Sequence, residues 1–361
     1  MSRIRSLRID DIPDLVRIHR RAFARESNLD AADLAAEFRT VFLENPWTDG
    51  HVPSLVYEGH HGRPGAFLGV FVVPWRFEGL ACSVAITSQL MVDPEEADAT
   101  TAIRLLRKVF AGGYDIVLTD GATGRVRDIW DRLGGDTLWT SSMQWVRPLR
   151  PLAHLVQAGG QRLPPALARL LRLATKLPDM LAARLRPNRF QSPLPEMQSE
   201  ELTVESLRDA WRHVEPEAAL GPDYDDVGLQ WLFDRFAERR RHGRLRGVLL
   251  RDSKGQPVGW YLYYRYPGQA AHVIQVSARP AQTEAVFRHL FRDAWAGGAT
   301  ALVGQLEARH IPALAELWCY FRRGTWCLVF SPRSELREAL HSGAARLTRF
   351  DGEFWMRFIG G

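Results

Sequence analysis

The residues able to do chemistry near neutral pH are few and scattered. Asp120 closes the apolar run YDIVLTD, where a strand meets its loop. A carboxylate there either faces a ligand at the carboxyl edge of a sheet or caps the following helix. Glu78, in WRFEG, reads as a solvated hairpin-turn residue. His272 and Gln275 share the strand HVIQVS, where an imidazole could titrate near neutrality or simply start the strand. In RLTRFDGEFWMRF, Asp351-Gly352 reads as a tight turn, after which Glu353 and Trp355 fall on one strand face. His60-His61 sit in a Gly/Pro turn with no further ligands in range, so no metal is expected. No Ser/His/Asp elbow, Walker loop or GxGxxG occurs. Gly112-Gly113 and Gly297-Gly298 follow helical patterns and read as caps.

One junction stands apart. Residues 90–106, LMVDPEEADATTAIRLL, run from an apolar strand through a polar loop into a helix. Phosphate-binding enzymes often place a glycine loop at such a junction. Here Glu95, Glu96 and Asp98 stand instead, three acids suited to the positive end of a helix dipole.

The elements around these residues recur. LVYEGHHGRPGAFLGVFVVPWRFEGLACSVAITSQLMVDP and GVLLRDSKGQPVGWYLYYRYPGQAAHVIQVSARP each read as strand, Gly/Pro turn, long apolar strand, turn, and a strand ending at proline. A helix closed by Gly-Gly follows each (AIRLLRKVFAGG; AVFRHLFRDAWAGG), then a strand, a second helix (RVRDIWDRLGG; IPALAELWCYFRRG) and a final strand pair (TLWTSSMQWV; TWCLVFS with FWMRF). An amphipathic helix precedes each copy, over 12–23 and 204–214. The pattern predicts an internal duplication: copy one over 1–150, copy two over 201–361, each a mixed α/β sheet flanked by helices. Residues 151–200 form the connector. Leu163, Leu167, Leu170, Ala174, Leu177, Leu181 and Leu185 make a helical stripe, with Arg162, Arg169, Arg172, Lys176, Arg184 and Arg186 on the polar face. This face is either a solvated linker surface or, across 162–189, a contact for membrane surface or an anionic ligand.

The chain has 361 residues, 46% of them hydrophobic, enough for two real cores. A net charge of +5 excludes a dedicated DNA-binding footprint. Cys82, Cys319 and Cys327 lie far apart without a CxxC, so neither a disulfide framework nor a zinc site is expected. With no apolar signal region at the N-terminus and no run long enough to span a bilayer, the expected location is the cytoplasm. Oligomeric state is left open.

The order of elements resembles the GNAT fold, the acyl-CoA N-acyltransferase superfamily, over residues 3–150. The resemblance rests on IRSLRIDDIPDLVRIHRRAF, QLMVDPEEADATTAIRLLRKVF and RDIWDRLGG. The second copy rests on its match to the first. The tandem arrangement is more distantly similar to the Fem-type peptidyltransferases. The resemblance implies that acyl-CoA is the co-substrate and that its pantetheine arm pairs with a splayed strand. Its diphosphate would meet the next helix N-terminus, where free N–H groups and the dipole favour an anion. Carried onto this chain, the cofactor lies along Leu90, Met91 and Val92 and at Thr100, Thr101 and Ala102. The family pattern Arg/Gln-x-x-Gly-x-Gly/Ala keeps only Ala102; Ala97 and Thr100 replace the Arg/Gln and the first glycine. Two charges about 5 Å apart repel by roughly 3 kcal/mol at an effective dielectric near 20, so the added acids oppose a diphosphate. Thr123 stands where the family often has Asn. Trp130 stands where it often has a general-acid Tyr, with Trp318 or Tyr320 in the second copy. The general base implied by the resemblance is Asp120 or Glu78.

The activity this implies is transfer of an acyl group from acyl-CoA to an amine or hydroxyl of a small-molecule or cell-envelope acceptor. Two alternatives stand beside it: a Fem-like transferase with a non-CoA donor such as aminoacyl-tRNA, and a non-catalytic binding protein.

Overall fold

A computed structural model describes residues 3–23, 29–48, 51–59, 62–98, 100–159, 197–214 and 218–358. The basic stripe expected over 162–189, His60-His61 and Ala99 lie outside the described residues. In chain order the strands are β1 (Ile4–Ser6), β2 (Leu55–Glu58), β3 (Pro64–Phe77), β4 (Leu80–Val92), β5 (Ile116–Ala122), β6 (Asp136–Thr137), β7 (Met143–Pro148) and β8 (Gln198–Glu201). Then come β9 (Leu220–Pro222), β10 (Arg244–Arg251), β11 (Pro257–Arg265), β12 (Ala270–Ala278), β13 (Ala301–Gln305), β14 (Tyr320–Arg323) and β15 (Trp326–Phe330).

The chain divides into two compact units. One comprises Met1–Ser142, Ala218–Arg241 and Thr325–Gly361; the other comprises Met143–Glu217 and His242–Gly324. The contiguous boundaries 1–150 and 201–361 are therefore corrected. The late strand β15 inserts between β5 and β6 of the first sheet, and β7 inserts between β13 and β14 of the second. Strand periodicity reports that a segment is half-buried on a sheet, not which sheet it joins.

The first sheet runs β1-β2-β3-β4-β5-β15-β6, with β9 also on β3. Its pairs are antiparallel except β4–β5. The apolar run of β3 is buried because both faces are covered. On one face lie α3 (Thr101–Phe110) and α4 (Gly124–Arg132), packed over Leu68, Val70, Ala85 and Val117. On the other lie α1 (Ile12–Ala22) and α2 (Ala31–Phe42). There Phe38, Phe42, Phe67 and Phe358 interlock with ring centroids 4.7 Å (Phe38–Phe358) to 6.1 Å (Phe38–Phe42) apart. Each such buried ring contributes about 1.5–3 kcal/mol. Gly69 has no side chain because Phe42 occupies its place: a Cβ there would meet the ring at 2.4 Å. The β3–β4 hairpin closes at Glu78 and Gly79, both with positive φ (49° and 82°), as a two-residue turn matching the strand twist requires.

The second sheet runs β14-β7-β13-β12-β11-β10-β8, and again one pair, β12–β13, is parallel. Helix Thr283–Ala296 covers one face through Val286, Phe287, Leu290 and Phe291. On the other face Trp211, from helix Val204–Val214, stacks on Trp260 at 5.8 Å.

Two predicted elements are corrected. IPALAELWCYFRRG is helical only over Ile311–Glu316; Trp318 adopts φ 60°, which ends the helix, and Tyr320–Arg323 becomes the edge strand β14. FWMRF is not a strand. Its backbone donors go elsewhere, Met356 N to Glu353 O and Arg357 N to Glu37 Oε1, so no ladder forms. Helices Ala31–Phe42, Asp226–Glu238 and Ser334–Ser342 were not anticipated.

Candidate active site

The parallel ladder between β4 and β5 is short. It joins Val84, Ala85 and Ile86 to Ile116, Val117 and Leu118, then stops. Thr87 still reaches across, its hydroxyl donating to Leu118 O at 3.2 Å. Beyond it β4 bulges: the register with β3 slips between Phe67 and Gly69, and Gln89 takes a positive φ of 53°. The two strands diverge as a wedge, as the resemblance implied.

Asp120 enters this wedge from the end of β5, and Glu353 from the C-terminal segment. Ser88 donates to Glu353 Oε2, and Thr119 donates to Glu353 Oε1 at 3.2 Å. The backbone N–H of Glu353 donates to Asp120 Oδ1 at 2.9 Å, and Thr325 donates to the Asp120 carbonyl at 2.6 Å. Two glycines make room. A Cβ on Gly121 would lie 2.2 Å from Glu353 Oε1, and one on Gly352 would lie 2.1 Å from Asp120 Oδ2. Each acid thus sits in the space left by the glycine beside the other, in the dipeptides Asp120-Gly121 and Gly352-Glu353.

The electrostatics follow from enclosure. Burial, then the charge of Asp120, pushes the Glu353 carboxyl up to about 7, against the hydrogen bonds from Ser88, Thr119 and the Gly121 backbone. Burial also raises Asp120, opposed by the Glu353 N–H and by the charges of Arg349 and Arg239. Glu353, raised by the charge of Asp120, is thus the carboxyl that takes up a proton near neutral pH.

The C-terminal segment is fixed from several sides. Asp351 Oδ2 accepts from Thr348 N and Thr348 Oγ1, both at 2.9 Å, and its Oδ1 accepts from Tyr224 at 3.2 Å. Buried Glu37 pairs with Arg235 and accepts from Arg357 N at 2.7 Å. Arg239 and Arg349 lie on the Phe354 ring at 4.9 and 4.8 Å. These contacts hold Glu353 where a merely exposed tail could not.

The start of α3 is already engaged. Asp98 Oδ1 accepts from Thr100 N at 2.8 Å, from Thr100 Oγ1 at 2.5 Å and from Thr101 Oγ1 at 3.3 Å. Two neighbouring acids face cations: buried Asp93 bonds Arg17 and, at 3.2 Å, Arg21, which also holds Glu95 at 2.7 Å. Burial works against Asp93, but its arginines hold the carboxyl below the usual range.

Of the residues singled out in the sequence, Asp120 lies in the wedge. Its alternative role as a helix cap falls to Thr123, whose hydroxyl accepts from Val126 N at 3.4 Å. Glu78 does not join it: the exposed turn stands at the far end of the β3–β4 hairpin, so its proposed catalytic role is withdrawn. Leu90 and Val92 pack partly buried against the core, and Met91 is fully buried, leaving backbone as what that strand offers. Thr101 and Ala102 are buried at the helix start beside exposed Thr100. Trp130 is a core residue, edge-on to Phe110 at 4.8 Å, which corrects its expected cofactor contact. Tyr320 is on the exposed edge strand, bonded to His154 at 3.1 Å. Among the described residues no group of acids, histidines and cysteines could hold a metal ion, and no helix is long and apolar enough to cross a membrane. Ser88, Thr119 and the two glycines were missed. The one signal for them was the acid–glycine pairing that recurs in TDG and FDGE.

No family model and no curated protein matches the sequence. Solved structures do match the fold. A conserved protein of Enterococcus faecalis V583, described as a probable N-acyltransferase, aligns over 92% of this chain and 72% of its own, at 9% identity and TM-score 0.60. A GCN5-related N-acetyltransferase of Anabaena variabilis ATCC 29413 aligns over 91% and 72%, at 11% identity and TM-score 0.58. The N-myristoyltransferase of Saccharomyces cerevisiae, solved with bound myristoyl-CoA, aligns over 92% and 79%, at 12% identity and TM-score 0.51. Together with the mixed sheets and the wedge between β4 and β5, these likenesses show that the chain has the fold of the GNAT N-acyltransferases.

Proposed function

We infer that this protein is an acyltransferase that moves an acyl group from acyl-CoA to an amine or hydroxyl of a small-molecule or cell-envelope acceptor, working in the wedge of the first unit. The observation that carries this reading is the enclosed pair Asp120 and Glu353 at the mouth of the diverging strands. Backbone of β4 beyond Ile86 lines the wedge and suits pairing with an extended pantetheine arm, which requires no particular side chain.

The reaction asks for one proton acceptor tuned near the working pH. Glu353 takes the proton from the acceptor nitrogen or oxygen as that atom attacks the thioester carbonyl. The tetrahedral intermediate collapses with cleavage of the C–S bond. The thiolate leaves as CoA and takes up the proton released from the carboxyl pair. Ionised Asp120 keeps Glu353 basic, while Ser88 and Thr119 orient its two oxygens.

One observation favours a second reading, a donor that places no diphosphate on α3: the N–H of Thr100 is already bonded to Asp98. Melting temperatures in excess CoA, acetyl-CoA, longer acyl-CoAs and pantetheine separate the two. A ligand at about 100 times its Kd stabilises by roughly 2.7 kcal/mol, a shift of a few degrees. A shift with acyl-CoA, followed by thiol release with an amine panel that Glu353→Gln abolishes, supports the first reading. A shift with pantetheine and none with CoA supports the second. No shift with any of them removes both.

A further inference from the structure

Helix Pro151–Gly159 of the second unit is built inside out. At about 100° per residue, Arg150, His154 and Gln157 fall on one side of it, and their bonds fasten it to the unit. Arg150 donates to Trp295 O at 2.8 Å and to Ala299 O at 2.5 Å. His154 Nε2 lies 3.1 Å from the Tyr320 hydroxyl. Gln157 bonds the Gln269 side chain and accepts from the Thr300 hydroxyl at 2.8 Å. Leu152 and Leu155 fall on the opposite side, and both are exposed, Leu155 by 65%. A surface helix ordinarily does the reverse and turns its apolar stripe to the core.

The neighbouring strand continues the pattern. Tyr320 bonds His154, and by strand alternation Arg322 shares its face of β14. Burial, then the nearby charge of Arg322, lowers the pKa of His154, which places that guanidinium beside the helix. Every residue of β14 is exposed, and Trp318 just before it is 61% exposed. Single exposed apolar residues are ordinary. Here, of the eleven large apolar side chains exposed among the described residues, five lie on one short helix and the strand segment beside it: Leu152, Leu155, Trp318, Tyr320 and Phe321. Clustering of this kind marks an interaction surface. Over 150–159 and 311–324 the sequence has one acid, Glu316, against Arg150, Arg322 and Arg323.

These are the groups that suit the headgroup region of an anionic bilayer. Leucines on one side of a helix reach the acyl boundary, Trp and Tyr rings sit at headgroup level, and arginines meet phosphates. Other occupants fit less of the patch. In a symmetric pair of copies the patch would meet itself and bring Arg322 and Arg323 against their counterparts. A peptide strand added to β14 would use its backbone edge and leave the leucines of the helix uncovered.

We propose that the second unit docks on the surface of an anionic lipid bilayer through Leu152 and Leu155 of helix Pro151–Gly159 and through Trp318, Tyr320 and Arg322 beside it. The contact lies on the bilayer and does not cross it. It is a different surface from the basic stretch 162–189, and it does not rest on the acyltransferase reading of the first unit.

Vesicle flotation of the full chain tests it, with vesicles of phosphatidylcholine alone and of phosphatidylcholine with an equal share of phosphatidylglycerol. The chain should float with the mixed vesicles and stay behind with the neutral ones. Leu152→Gln combined with Leu155→Gln should abolish flotation and leave the melting temperature unchanged, because both side chains already face water. Arg322→Gln should weaken partitioning about fivefold, the worth of one basic residue near an anionic surface. The leucine variant keeps every charge, so flotation that persists in it would assign the binding to another basic stretch and overturn the proposal. Absence of flotation with the mixed vesicles overturns it too. A dimer that the leucine variant splits, without flotation of the parent, would give the patch to a second copy instead.

Discussion

The two sheets diverge at matching places and furnish the opening with opposite chemistry. Ile86, Gln89 and Pro94 keep the same spacing as His272, Gln275 and Pro280, and in each sheet the parallel ladder ends at the first of the three. Asp120 follows Leu118 as Gln305 follows Val303. Ser88, opposite Gly69, donates to Glu353; Gln275, opposite Leu262, has no partner for its amide. The bulges fall one residue apart, and a one-residue slip changes which side chain faces the opening. Equivalent glutamines therefore end in different settings: Gln89 lies in the bulge with positive φ, and Gln275 just after it. The fold supplies the wedge twice. Among the described residues of the two wedges, Glu353 in the first is the carboxyl that burial and a neighbouring charge lift to about 7.

The largest expected effect comes from making the first wedge as neutral as the second. Glu353→Gln keeps the shape and the hydrogen-bonding oxygen but removes the base. Thiol release from acyl-CoA with a responsive acceptor should fall by about 10²–10⁴-fold, the usual contribution of a positioned base. Asp120→Asn should lower the pH at which the remaining carboxyl titrates, because the neighbouring charge that raises Glu353 is gone. The acidic limb of the pH–rate profile would then move to lower pH. Turnover in Glu353→Gln close to the parent value would falsify the assignment of the base.

Stability should read out the same difference without any substrate. Glu353 binds its proton more tightly folded than unfolded, with a folded value about 7. Between about pH 4.5 and 7 the folded state holds the extra proton, so stability falls as pH rises through this window, by up to about 3 kcal/mol. Glu353→Gln should flatten that decline. His19 acts in the opposite sense: fully buried among Phe23, Phe38 and Phe358, its ring is pushed down to about 4 by burial, and neither ring nitrogen has a partner. It costs stability as pH falls from about 6.5 towards 4. The two windows overlap and the contributions oppose, so His19→Leu should steepen the loss of stability with rising pH between about 4.5 and 6.5, the loss that Glu353→Gln removes. Urea midpoints across pH for both variants separate the contributions; a decline unchanged in Glu353→Gln would place the titrating group elsewhere.

Next come the glycines. Gly121→Ala and Gly352→Ala put a methyl where a carboxylate oxygen of the other acid stands. Overpacking of this kind costs about 1–3 kcal/mol. The pair should be non-additive, since each change displaces one member of the same carboxyl couple. In the second wedge Gly304 has a different duty, giving room to the Trp145 indole, which a Cβ would approach to 2.4 Å. Gly304→Ala should lower the melting temperature without touching the pH dependence of the first wedge.

Much of the fold is legible in the sequence. Prolines, Gly-Gly stops and alternating strands marked both sheets and the parallel junction, because those signals are local. Asp120 could be placed because a strand end is local too. Glu353 could not: its partners Ser88, Thr119 and Asp120 lie more than two hundred residues away. Its segment also reads as a strand until its backbone donors are found on Glu37 and on its own turn. Trp130 was misassigned because a family position was carried over to a residue whose neighbours, Phe110 and Gly135, make it core. Strand periodicity likewise could not reveal that β7 and β15 serve sheets other than their sequence neighbours suggest.

The smallest expected effect concerns the start of α3, where the acyl-CoA reading meets its main obstacle. Asp98 accepts the Thr100 N–H that a diphosphate would use, and hydrogen bonds from the Thr100 hydroxyl and backbone hold its carboxyl below the usual range, so it is ionised at neutral pH. Asp98→Asn retains an oxygen that can cap the helix but removes the charge. If CoA places its diphosphate here, its affinity should rise about two- to fivefold, the scale of one exposed charge at a helix terminus. The gain should shrink as salt is raised from low ionic strength, since the removed repulsion is solvent-screened. Pantetheine, which has no diphosphate, should bind parent and variant alike. Calorimetric titration of both ligands makes the comparison. Equal CoA affinity in parent and variant at low salt would mean that the diphosphate goes elsewhere, and that the first wedge receives its donor through β4 alone.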